Sequence, residues 1–213
     1  MAGRGDGRMT GGPLRLYELP LSGNCWKIRL CLAERGLPYE RVTIRDPERT
    51  FADAAFRRLS PLGRVPVLVC PDGTALWESG AILTWLAENT PLLPRDATRR
   101  AQVMAWLFWE QADLSPALAL PRFFRRNGTE KANAERMRAL QEKGRACLEF
   151  LDTYLSRQDY LYGAAYTLAD LACHVYVMLS PEGGQDLAPF PAVRAWLERI
   201  AARRAWEPLL PAG

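Results

Sequence analysis

A chain of 213 residues with 48% hydrophobic and 24% charged side chains can fold as one large domain or two small ones. At that length a sizeable core forms without metal or disulfide staples. Lys plus Arg outnumber Asp plus Glu by 28 to 24. The excess is spread evenly, +2 over residues 1–90 (12 basic, 10 acidic) and +2 over residues 91–213 (16 basic, 14 acidic). No segment gathers the positive charge that a phosphate-tracking groove needs, which argues against a nucleic-acid partner.

The five cysteines, Cys25, Cys31, Cys70, Cys147 and Cys173, are odd in number and irregular in spacing. With a single histidine and no CxxC pair, a Cys/His metal site lacks ligands, so no metal is expected. Free thiols fit a reducing, cytoplasmic setting. The opening stretch MAGRGDGRMTGGP has no apolar core of the kind a signal peptide carries, and residues 1–13 read as a flexible tail. No apolar run reaches the roughly 18 residues of a membrane span.

In chain order, Leu14 to Tyr17 reads as a short strand that ends in the turn Pro20-Leu21-Ser22-Gly23-Asn24. Ile28, Cys31 and Leu32 give a helical stripe over Cys25 to Arg35, closed by Gly36. Tyr39 to Ile44 is a second strand, parallel to the first because the crossover is helical. Residues 45–58 read as a loop with an irregular short helix. Pro61 and Gly63 make a turn before Val67 to Val69, and Pro71-Asp72-Gly73 joins that strand to Thr74-Ala75-Leu76 as a hairpin. A helix over Ser79 to Asn89 completes the unit.

Pro91 and Pro94 break the chain over residues 90–96. Helices follow over 97–122, 130–157, 168–179 and 192–206. The third is almost wholly apolar and should be buried on every side. The expected fold is therefore an α/β thioredoxin-like N-terminal domain over 14–89, a linker over 90–96, and an all-α C-terminal domain over 97–213.

Three places carry chemistry. Ser22-Gly23-Asn24-Cys25 lies at the carboxyl end of the first strand and the N-terminus of the first helix, where ligands of open α/β sheets gather and anions are favoured. A hydroxyl there can donate to a bound thiolate, although Ser22 or Asn24 could equally be only a cap. Cys25 is a rival with a thiol that a helix N-terminus could activate, or a packing residue. Val65-Pro66 offers a backbone edge for an extended peptide if the bond is cis, and a simple strand entrance otherwise. Glu78-Ser79 opens a helix, with Ser79 as its cap; the pair suits the two charges of an α-amino acid head group, or is a cap beside a surface carboxylate.

Thr167-Leu168-Ala169-Asp170 reads as a capping box with a folding role. His174, inside the apolar helix, reads as a packed residue. Trp106, Phe108, Trp109, Phe123 and Phe124 read as core or domain-interface residues, with Trp109 or Phe123 as candidate borders of an apolar pocket.

The segments LYELPLSGNCWKIRLCLAERGLPYE, SPLGRVPVL and WESGAILTWLAE, together with Thr167–Asp170, resemble the soluble glutathione S-transferase family in order and spacing over residues 14–206. Within the family the chain resembles a bacterial serine-type member with a partial zeta-like motif. The resemblance implies a cytoplasmic homodimer that uses glutathione as co-substrate against small, largely apolar electrophiles, a detoxifying role. It implies that Ser22 activates the thiol, with Asn24 and Cys25 as further candidates for the sulfur contact. Val65 and Pro66 would pair with the cysteinyl backbone, and Glu78 and Ser79 would hold the γ-glutamyl end. Arg64 would meet the glycyl carboxylate, with Arg45 and Arg49 less favoured. Asp113 would reach the γ-glutamyl amine in the other subunit.

Ser22 to Arg29 is also similar to the zeta-type motif of maleylacetoacetate isomerase, in which two serines precede the cysteine. Trp26 and Lys27 fit, but Gly23 replaces the second serine and the cysteine has moved one place, to Cys25. The departure counts against the isomerase and leaves a disulfide reductase open. A glutathione-binding regulatory protein without turnover is the non-enzymatic alternative. The acceptor pocket would be built from residues 19–21, 106–124 and 204–213.

Overall fold

A computed structural model describes residues 12–210. The expected tail over residues 1–13 falls outside them except for Gly12 and Pro13, which are exposed. The N-terminal half is a mixed four-stranded sheet with helices on both faces, and the C-terminal half is all helical.

Strand β1 (Leu14–Glu18) runs into helix α1 (Gly23–Glu34), and β2 (Tyr39–Thr43) returns parallel to β1. The Ser22 hydroxyl opens α1 by accepting the Cys25 N–H at 3.3 Å. Residues 45–58 hold two short helices where one was expected. Asp46 caps α2 (Pro47–Ala52) and Asp53 caps α3 (Ala54–Leu59), so two Asx caps seven residues apart cut the segment in two. The hairpin β3 (Val67–Val69) and β4 (Ala75–Trp77) completes the sheet in the order β2-β1-β3-β4, with β3 antiparallel to both neighbours. Helix α4 (Ser79–Ala87) follows, two residues shorter than expected because the backbone leaves the helical region at Glu88, with a ψ of 133°.

Two clusters sandwich the sheet. Ile44, Phe56, Val67 and Val69 pack under α2 and α3. Leu14, Leu16, Ile28, Leu32, Ile82 and Leu83 pack on the other side and continue without a break into the helical half. The segment between the halves is anchored: Leu92 and Leu93 are buried, and the Leu92 carbonyl accepts the Leu168 N–H at 2.9 Å.

Helix α5 (Ala97–Trp109) continues through one π-helical turn (Glu110–Leu114) into α6 (Ser115–Arg126), with Pro121 inside α6. Helix α7 (Ala134–Leu155) packs on α6, and α8 (Leu168–Leu179) lies in the middle, touching α1, α4, α5 and α6. All residues of α8 except Met178 are buried, as the apolar pattern requires. The last helix, α9 (Pro191–Ala201), ends five residues before the expected position, and the chain then turns back over α1, where Trp206 meets the Trp26 ring edge-on and the Glu207 carbonyl accepts the Trp26 Nε1–H. No helix of the described residues is long and apolar enough to cross a membrane.

Candidate functional site

The turn between β1 and α1 borders a cleft of about 1030 Å3 between the sheet and α6. Leu19 to Gly23 form one wall, Thr43 to Arg45 the second, and Leu120, Arg122 and Phe123 the third. Ser22 stands half-buried at this wall. Its oxygen accepts one helical N–H, and among the described residues nothing accepts its O–H. The hydroxyl proton is thus free for a ligand.

Gly23 is fixed by packing. A Cβ there would lie 2.8 Å from Cε1 of Tyr176, a buried ring of α8 that also lines the cleft. A serine at this position would meet the Tyr176 ring, which occupies the space its side chain would need. Burial and the nearby Glu110 carboxylate push the Tyr176 hydroxyl upward, so it stays protonated.

Asn24 points the other way. Its Oδ1 accepts from Lys27 Nζ at 2.9 Å and from Ser79 Oγ at 3.4 Å. Lys27 is fully buried and forms a 2.7 Å ion pair with Glu110, the first residue of the π-helical turn. The Lys27 ammonium also lies 4.9 Å from the centre of the Tyr176 ring. A chain of polar contacts therefore runs from Glu110 through Lys27 and Asn24 to Ser79. Sequence reasoning missed it, because Lys27 and Glu110 are 83 positions apart.

Cys25 corrects an expectation. Its thiol is wholly buried, and burial raises it to about 11 against the lowering influence of the neighbouring Ser22 side chain and Leu19 backbone. Desolvation outweighs both, and a protonated, inaccessible thiol does not serve as a nucleophile. Ser79 corrects another. It is the first residue of α4 rather than the cap; Glu78 holds the cap position with a φ of +68° and no side-chain cap bond. The hydroxyl of Ser79, 3% exposed, turns to Asn24 instead.

The Val65–Pro66 bond is cis. Among the described residues no hydrogen bond uses the N–H or C=O of Val65, whereas Arg64 just before it is held through both backbone groups by the Ser60 hydroxyl. The Arg64 side chain is exposed. Gly63 makes this turn possible: its φ is +60°, and a Cβ would lie 2.7 Å from the Phe51 carbonyl.

Asp113 lies on the surface in a 2.7 Å ion pair with Lys143. A second groove, between α4 and α5, is lined by Glu78, Trp85, Met104, Phe108 and Gln111, and Asp113 is not part of its lining. Phe108, expected in the core or at the domain interface, is 68% exposed beside this groove, and Phe123 is 57% exposed at the mouth of the cleft. Trp106 and Trp109 pack with Phe150 and Tyr154 in an aromatic cluster away from the cleft. Thr167 and Asp170 form the expected reciprocal capping box. His174 is fully buried in α8, its Nδ1 3.0 Å from the Asp170 carbonyl, and burial lowers it to about 4.

Comparison with known proteins agrees with this architecture. Residues 21–89 match the glutathione S-transferase N-terminal domain, and residues 111–204 match the glutathione S-transferase C-terminal domain. The chain belongs to the glutathione S-transferase family. It is 34% identical over 197 residues to the disulfide-bond oxidoreductase YfcG of Escherichia coli, an alignment covering 89% of this chain and 91% of that one. A glutathione S-transferase structure from Pseudomonas fluorescens superposes with a TM-score of 0.90 at 36% identity, covering 94% of this chain and all of that one. A glutathione transferase from Burkholderia graminis, with two glutathione molecules bound per subunit, gives a TM-score of 0.78 at 28% identity, covering 91% of this chain and 85% of that one.

Proposed function

We propose that the protein is a glutathione transferase of serine type, in which Ser22 holds the glutathione sulfur as its thiolate at the β1–α1 turn. The carrying observation is the unclaimed O–H of Ser22 at the wall of the cleft. The free backbone groups of Val65 suit antiparallel pairing with the cysteinyl residue of the tripeptide. Glu78 and the first N–H groups of α4 suit the γ-glutamyl ammonium and carboxylate. Arg64, exposed beside Val65, suits the glycyl carboxylate, and Arg45 lines the cleft as an alternative.

The chemistry follows from these positions. Glutathione gives its thiol proton to water, and the Ser22 hydroxyl donates a hydrogen bond to the sulfur anion. The sulfur attacks an electrophilic carbon. A C–S bond forms and, with an aryl halide, the C–halogen bond breaks and the halide leaves with its electron pair. Ser22 stabilises the anion and takes no proton. A charge-assisted hydrogen bond contributes about 1.5–3 kcal/mol, roughly one to two pKa units on the bound thiol. Titrating the thiolate absorbance of bound glutathione should show that rise in Ser22→Ala, with binding retained. An unchanged thiol pKa would reject the role of Ser22.

Similarity to a disulfide-bond oxidoreductase supports a second reading, in which the same thiolate attacks a disulfide sulfur and expels a thiolate. Parallel assays with an aryl halide, hydroxyethyl disulfide and maleylacetone separate transferase, reductase and isomerase. Bound glutathione with no turnover on any of them would favour a regulatory protein. We further infer a homodimer through the α4–α5 face, where Phe108 and Trp85 are 68% and 41% exposed around a groove of about 620 Å3. In it Asp113 would have to leave Lys143 to reach the other subunit, and Gln111, on the groove itself, is the better placed polar residue.

A further inference from the structure

We propose that the cleft selects an acceptor carrying a carboxylate beside an apolar body, and that Arg122 and Arg126 recognise the carboxylate. The inference rests on the glutathione reading above and names the acceptor class of that same site. Three guanidinium groups line the cleft, those of Arg45, Arg122 and Arg126, and no Asp or Glu is part of its lining. One carboxylate outside the lining, Glu182, answers two of them, at 2.7 Å from Arg122 Nε and 3.6 Å from Arg126 Nη1. Three positive charges against one negative leave an excess that an organic anion would balance.

Arg122 is the strongest part of the argument. It is 6% exposed, so its charge is expensive to leave without partners. Its Nε is used by Glu182 and its Nη1 by the Leu21 carbonyl at 2.9 Å. Nη2 is shielded from solvent and has no hydrogen-bond partner among the described residues, so a small shift of the side chain is what brings it to an anion in the cleft. A guanidinium offers its donors in a rigid fork that fits a carboxylate, and Nη2 is the part of the fork left over. The bond to Leu21 fixes that guanidinium one residue from Ser22. An anion held there brings its electrophilic end to the activated sulfur. The exposed ring of Phe123, with Leu120 and Ile44, gives the apolar body a surface to lie on.

The test is calorimetry with two glutathione conjugates that differ in one group, S-benzylglutathione and S-(4-carboxybenzyl)glutathione. The carboxylated conjugate should bind about tenfold tighter, the discrimination a single charge-assisted contact supplies. Arg126→Gln, at an exposed position, should cut that ratio by about threefold, and Arg122→Gln should bring it to about one. Should Arg122→Gln fail to fold, the wild-type ratio and the Arg126 variant decide. Equal or weaker binding of the carboxylated conjugate, with the neutral one still bound, overturns this inference alone. Failure of both conjugates to bind overturns the glutathione reading and this inference with it. Glutathione disulfide makes a third arm. A matching loss for it in Arg126→Gln assigns the recognised carboxylate to a second tripeptide, and no loss assigns it to a small electrophile; either supports carboxylate recognition here.

Discussion

Helices α1 and α8 both begin on a hydroxyl cap, and they use it differently. Thr167 accepts the Ala169 N–H, and its own O–H donates to Asp170, which also takes the Thr167 N–H. Asp170 extends the closure by accepting from the Leu161 N–H at 2.8 Å and from Trp196 Nε1 at 3.0 Å. Every polar group at that helix start is consumed. Ser22 accepts one N–H and, among the described residues, has no hydrogen bond to an acceptor. Where α8 has its own acid three residues on, α1 has none in its first turn and borrows Glu110 through Lys27. A closed cap builds a core; an open cap at a cleft wall leaves a donor for chemistry.

Breaking the closed cap should have the largest effect. Asp170→Ala orphans buried donors on three segments and should cost about 3–5 kcal/mol, read from urea unfolding. The thiol pKa of bound glutathione should not move in the molecules that remain folded. Breaking the borrowed acid comes next. Lys27→Met leaves Glu110 charged and unpaired at 1% exposure, and should cost about 3 kcal/mol. Lys27→Met combined with Glu110→Leu should recover much of that loss, since a well-packed apolar pair can replace a buried ion pair. No recovery in the double variant would mean that the contacts to Asn24 and Gln111, rather than the charges, carry the stability.

These two acids also show what the sequence could and could not reveal. Thr167 and Asp170 stand three positions apart, so their reciprocal bonds follow from helix geometry alone. The strand-helix-strand order, the hairpin at Asp72-Gly73 and the buried α8 are likewise local or periodic signals. Lys27 and Glu110 meet across 83 positions, and Arg122 reaches Leu21 across 101. No local pattern announces either, because both depend on how α5 and α6 lie over the sheet. The choice between an activated and a packed Cys25 is open in the sequence for the same reason: the helix terminus is visible there, whereas the depth of burial that overrides it is not. Ser79 reads as a cap because nothing in the sequence shows that Glu78 adopts a positive φ.

His174 sharpens the comparison through pH, since it packs one turn beyond Asp170 on the closed side. Its folded value of about 4 lies below the ordinary histidine value of 6.5. Below pH 6.5 the unfolded chain therefore binds the proton that the folded chain refuses. The contribution of His174 is complete above that pH and is lost as pH falls toward 4. The loss should reach about 2 kcal/mol at pH 5. His174→Gln should flatten this part of the curve relative to the native chain in urea midpoints measured at pH 7.5 and pH 5. Equal slopes for the two proteins would show that His174 takes up its proton as readily in the folded chain as in the unfolded one.

The smallest change in stability should carry the largest change in chemistry. Ser22→Ala removes one cap bond and should cost about 1 kcal/mol. Thr167→Ala removes an acceptor and a donor at a buried site and should cost more, up to about 2 kcal/mol. If caps were only caps, activity would follow that order. The open O–H predicts the reverse: Thr167→Ala leaves kcat per folded molecule unchanged, while Ser22→Ala lowers it about tenfold or more at neutral pH, the share of thiolate lost when the bound thiol rises by one unit or beyond. Raising the assay pH should restore much of the Ser22→Ala rate by ionising the thiol without help. A deficit that persists at every pH would mean that Ser22 positions the sulfur rather than stabilising its charge.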